Sequence, residues 1–69
     1  MVEIFKTHIH QKVAADELIQ QIQKCCPAAK INVDLDDCDR VLRIEDDRIS
    51  VSEIIKLTAD LGHYCEVIL

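Results

Sequence analysis

The chain has 69 residues, of which 49% are hydrophobic, with one glycine, one proline and a formal net charge of -5. That composition excludes a disordered tail or linker, leaves room for a single domain over 1–69 and puts it near the lower size limit for a self-supporting core. The acidic balance argues against nucleic acid or an anionic membrane as partner, because both are held by Lys and Arg. A protein with a basic surface suits it better.

Two aromatic residues, Phe5 and Tyr64, leave the core to Ile, Leu and Val. No apolar run approaches the length of a membrane span, and Glu3 and Lys6 interrupt the start too early for a secretory leader, so the expected location is cytoplasmic. Four cysteines are then expected as thiols rather than as two bridges.

Val2 to Ile9 is rich in β-branched and aromatic residues and reads as a strand. Its apolar residues fall on both faces, Val2 and Ile4 on one and Phe5, Thr7 and Ile9 on the other, which predicts a bulge or a strand covered on both sides. From about Val13 the spacing becomes helical through Leu18, Ile19, Ile22 and Cys25 or Cys26. Asp16 and Glu17 are expected in the first turns and Lys24 near the last, matching the helix dipole, and Pro27 ends the helix.

Ile31, Val33 and Leu35 alternate with polar residues, as do Leu42 and Ile44 within Val41 to Glu45. The intervening Asp36-Asp37-Cys38-Asp39 has turn chemistry, so the pair predicts a β-hairpin. Ser50-Val51-Ser52-Glu53 has the form of a capping box, with Ile49 and Ile54 placed as its hydrophobic staple. Ile54, Ile55, Leu57, Thr58 and Leu61 form the buried stripe of the helix that follows, Gly62 its C-terminal cap, and Tyr64 to Leu69 a last strand. The order β-α-β-β-α-β predicts an α+β, ferredoxin-like sandwich: a four-stranded antiparallel sheet with both helices on one face. In that topology the first loop (His10, Gln11), the hairpin tip (Asp36 to Asp39) and the last loop (His63) share one end.

With these elements in place, the sequence resembles the heavy-metal-associated (HMA) domains, the fold of small copper chaperones and of the amino-terminal domains of copper-transporting ATPases. The resemblance spans nearly the whole chain, through Phe5-Lys6-Thr7-His8-Ile9, Val33-Asp34-Leu35, Asp39-Arg40-Val41-Leu42 and Leu61-Gly62-His63-Tyr64. In that family the first loop carries a metal-binding Cys-x-x-Cys whose second cysteine opens the first helix. Aligned without gaps, those positions fall on Gln11 and Ala14, and an apolar residue two before the first cysteine falls on Ile9. An amide and a methyl group cannot replace thiolates for a soft monovalent ion, so the resemblance implies the scaffold without its copper site. His63 aligns with a last-loop position close to the family's metal.

Other donors stand near that end. His8 and His10 would point the same way if the first strand extended to them, and His10 with His63 is the pair that topology favours, with His8 or Cys38 as a further ligand. Imidazole suits zinc, copper(II) or nickel. The plainer alternative is solvated surface histidines and an exposed turn cysteine.

Cys25 and Cys26 are adjacent at a helix end, one expected inward and one outward, and in this topology they lie at the opposite end from the first loop. Cys65 alternates with Val67 and reads as core. The hairpin imitates a calcium loop through Asp34, Asp36 and Glu45, but Cys38 and Asp39 break the pattern, leaving Asp36, Asp37 and Asp39 as an acidic rim. No nucleophile with a neighbouring base, and no glycine-rich phosphate loop, points to an enzyme.

The expected function is a non-enzymatic, HMA-like protein-interaction module that holds no cofactor, contacts another protein and inserts in no membrane. The alternative is a zinc or copper site relocated to the histidines.

Overall fold

The computed structural model describes residues 1–36 and 40–68. Asp37, Cys38, Asp39 and Leu69 lie outside the described residues, and with them most of the expected acidic rim and the Cys38 ligand. The elements are β1 (Val2–Thr7), α1 (Lys12–Cys25), β2 (Lys30–Asp34), β3 (Val41–Glu45), α2 (Val51–Asp60) and β4 (Cys65–Ile68). The strands form one antiparallel sheet in the order β2-β3-β1-β4, so the ferredoxin-like arrangement is the fold of this chain.

One core joins the layers. Phe5, Leu42 and Ile44 from the sheet meet Leu18 and Ile22 from α1 and Ile54 from α2. Five of these six are fully buried, Ile54 being 4% exposed, and each such side chain stabilises the fold by about 1.5–3 kcal/mol.

The two apolar faces of β1 have a simpler cause than a bulge or a double cover. Its pairing with β3 runs unbroken from Val2↔Glu45 to Lys6↔Val41, with Phe5 and Thr7 buried and Val2 and Ile4 exposed on the other face. That outer face is open, and Ile4 stands beside Ile68 across the pairing with β4. Cross-strand apolar neighbours stabilise a sheet even on its solvent side.

α1 begins at Lys12, so its first turn holds no acidic residue; Asp16 and Glu17 fall one turn further on. Gln11 is the N-cap residue in extended conformation, and its side chain makes no capping hydrogen bond. At the other end the side-chain amide of Gln23 donates to the carbonyls of Cys26, Pro27 and Ala29 at 3.0–3.1 Å, closing the turn that Pro27 forces.

α2 follows its sequence signals. The Ser50 hydroxyl accepts from the Glu53 backbone N–H at 3.4 Å, and Ile49 packs against the same core as Ile54. Its C-terminus is a Schellman motif, with Gly62 N–H on the Ala59 carbonyl at 2.9 Å and His63 N–H on the Thr58 carbonyl at 3.0 Å. Gly62 has φ +84, the left-handed conformation that a Cβ would penalise. β4 starts one residue later than expected, at Cys65, because Tyr64 belongs to the loop after this cap.

Candidate functional site

The first loop is organised by Thr7, the last residue of β1 and 1% exposed. Its hydroxyl donates to the Arg40 carbonyl at 2.6 Å and accepts from the Ile9 N–H at 3.3 Å, while its own N–H reaches the same carbonyl at 3.2 Å. One buried hydroxyl therefore satisfies both of its roles and ties the first loop to the foot of the hairpin. Arg40 has φ 50, in the left-handed region and the one such non-glycine among the described residues. That conformation costs about 1–2 kcal/mol, offset by the hydrogen bonds its carbonyl accepts.

Ile9 is buried beneath the loop, and the residues around it divide between the two neighbouring segments. His10 accepts at Nδ1 from the Arg40 side-chain Nε at 3.1 Å, joining the loop to the hairpin a second time. His8 faces the other way: its ring lies 4.7 Å from that of Tyr64, tilted by 37°, joining the loop to the segment before β4. The Tyr64 hydroxyl donates to the Glu66 carboxylate, and this bond, together with the Glu66 charge, pushes the phenol pKa up.

The predicted convergence of first loop, hairpin and last loop at one end is thus present, but His8 and His10 do not share a direction. β1 ends at Thr7, so the strand alternation that would have aligned them stops before either residue. Each ring has a different partner, Tyr64 for His8 and Arg40 for His10. His63, half-buried, contributes its backbone N–H to the cap of α2. Among the described residues, no group of three or more His, Cys, Asp or Glu side chains could hold a metal ion.

Gln11 and Ala14 occupy the start of α1, Gln11 exposed and Ala14 half-buried against the core. The Gln11 carbonyl accepts the Ala15 N–H at 3.1 Å, the first bond of the helix. Neither side chain is a soft metal donor.

The remaining thiols lie elsewhere. Cys65 is 7% exposed in the core, where burial pushes its pKa up and a hydrogen bond with the Thr58 side chain opposes that shift. Cys25 is exposed and Cys26 half-buried at the end of α1. Burial foremost, then the charges of Asp46, Cys25 and Glu53, push the Cys26 thiol up.

Sequence reasoning assigned no role to Thr7 or Arg40. A hydroxyl on the core-facing phase of a strand end was the available signal for Thr7, since such a group must find partners. Arg40 offered none, because its conformation and its contact with His10 depend on segments 30 residues apart.

The fold recurs in the crystal structure of a gold-binding protein, with a TM-score of 0.83, 15% sequence identity, and coverage of 96% of this chain and 98% of that one. At that identity the likeness concerns the fold. No family model matches the chain, and no curated protein matches its sequence.

Proposed function

We propose that this chain is a non-enzymatic, HMA-like domain that has lost the first-loop metal site and serves metal trafficking as a protein-interaction module. The observation that carries the reading is the pairing of Gln11 and Ala14 at the start of α1 with an otherwise complete metal-loop scaffold. Ile9 is buried beneath the loop, Ala14 packs against the core, and the same fold serves a gold-binding protein. Soft monovalent ions require thiolate or thioether donors at such a loop, and here an amide and a methyl group stand in their place.

The construction of this end supports docking through it. Thr7, His10 and Arg40 hold the loop and hairpin in one arrangement, so a partner meets a preformed surface and loses little entropy in ordering it. The acidic character of the chain, with a net charge of -5, favours a basic partner.

Two experiments test this reading. In a variant with Cys25, Cys26 and Cys38 changed to serine, Gln11→Cys with Ala14→Cys should create copper(I) binding that the serine variant lacks. Failure of the folded double mutant to bind would contradict the assignment of the loop. Copper or zinc binding by the serine variant that disappears in His10→Ala, His63→Ala would instead establish the relocated histidine site. For the docking surface, a photo-crosslinking residue at position 12 should trap a discrete partner in cells, and one at position 47, at the other end, should not. Adducts from position 47 alone would overturn the placement.

A further inference from the structure

A groove of about 600 Å³ runs from the C-terminus of α1 and the start of the chain along α2, from Ser50 to Asp60. Its lining includes three sulfur-bearing residues, Met1, Cys25 and Cys26, together with the charged Arg48, Glu53, Lys56 and Asp60. Ile49, Ile54 and Leu57 supply an apolar floor. Met1 precedes β1 and Cys25 ends α1, and the fold sets them on one groove.

Hydrogen bonds hold the backbone of Met1 and of Cys26. The Met1 carbonyl accepts the Asp46 N–H at 3.0 Å, pinning the start of the chain beside the loop that leads to α2. Cys26 donates its N–H to the Ile22 carbonyl at 2.8 Å and accepts at its own carbonyl from Ala29 N–H at 3.0 Å and from the Gln23 amide at 3.1 Å. Both thiols are free, and the peptide between them is trans, which sets their Cα atoms about 3.8 Å apart.

We propose that Cys25 and Cys26 bind a soft, thiophilic metal ion of low coordination number in this groove, with the Met1 thioether as a third donor. Thiolate and thioether sulfur select such ions, whereas a hard ion would find too few oxygen donors here. Binding exchanges the two S–H protons, released to solvent, for two metal–sulfur bonds, with no change in oxidation state.

This site does not rest on the interaction-module reading, since it shares no residue with the first loop. The test is a silver(I) titration of the reduced Cys38→Ser protein, followed by calorimetry and thermal melting. One equivalent should bind, raise the melting temperature, and lose affinity at least 100-fold in Cys25→Ser, Cys26→Ser. Cys25→Ser alone, at an exposed position, keeps the fold and should lose most of the affinity. His10→Ala, His63→Ala should bind as the parent does.

Stabilisation is the decisive readout, because a ligand raises the melting temperature only if it prefers the folded chain. Silver binding with no rise in melting temperature would mean two ordinary thiols without a built site, and would overturn the proposal. So would equal affinity in the double serine variant, or loss of binding in the histidine variant.

Discussion

The two ends of this small domain are built from different chemistry on one core. At the first-loop end the contacts that hold the surface are polar and reach across the sequence: Thr7 to Arg40, His10 to Arg40, His8 to Tyr64. At the other end the side-chain bonds are local, from Gln23 and Ser50 to backbone groups within six residues, and beside them lies an apolar groove lined by Met1, Cys25 and Cys26. The difference teaches that the first loop takes its shape from Ile9 and Thr7, which belong to the core, while the thiols of Cys25 and Cys26 stand at the other end. Soft donors at the far end owe nothing to that loop.

Removing what the ends share should have the largest effect. Ile22 is fully buried in α1, and Ile22→Asp would place an unpaired charge among Phe5, Leu18 and Leu42. Loss of the cooperative thermal transition is expected. A variant that melts as the parent does would show that α1 presents another face.

A change confined to one end should come next. Thr7→Val keeps the shape and removes the hydroxyl, taking from the Ile9 N–H its acceptor and from the Arg40 carbonyl the 2.6 Å hydroxyl bond. The expected loss is about 1–3 kcal/mol. Amide exchange should speed up at Ile9 and His10 while Cys26 and Ala29 keep their protection. Equal loosening at both ends would mean that the ends are not independent.

The helix caps of α2 separate the ends more finely. Gly62→Ala meets no atom within 4 Å, so its cost is the left-handed backbone alone, about 1–2 kcal/mol, felt beside His63. Ser50→Ala, at the groove end, should cost about 1 kcal/mol by freeing the Glu53 N–H. Denaturant titration measures both. A neutral Gly62→Ala would contradict the cap.

The smallest effect is a pH dependence. A thiol whose pKa is raised in the folded state favours folding while it stays protonated and loses that contribution as pH rises from the unfolded pKa through the folded one. For Cys26 the causes are burial first, then Asp46, Cys25 and Glu53. Its alkylation should therefore set in at higher pH than that of the same thiol in the unfolded chain. Asp46→Asn with Glu53→Gln should move the profile part of the way back; an unmoved profile would leave burial as the whole cause.

How much of this was legible in the sequence depended on how local each signal was. Ser50 to Glu53 and Gly62 announced the limits of α2 because capping involves residues a few positions apart. The phase of β1 was obscured because Val2 and Ile4 are apolar on an open face, and the neighbour of Ile4, Ile68, lies 64 residues away by number yet beside it in the sheet. The shared end of the three loops followed from topology. The partners of His8 and His10 did not, because Tyr64 and Arg40 meet them only through strand register and a left-handed backbone at Arg40.

The most direct test of the central claim, that the first loop has lost its metal site, is an amide-resolved map of copper(I) binding to the reduced protein by nuclear magnetic resonance. The account predicts shifts at Cys25 and Cys26 and in the neighbouring loop before α2, with His10, Gln11, Ala14 and His63 unmoved. Shifts centred on His10, Gln11 and His63 would contradict it, and would place a metal at the first-loop end.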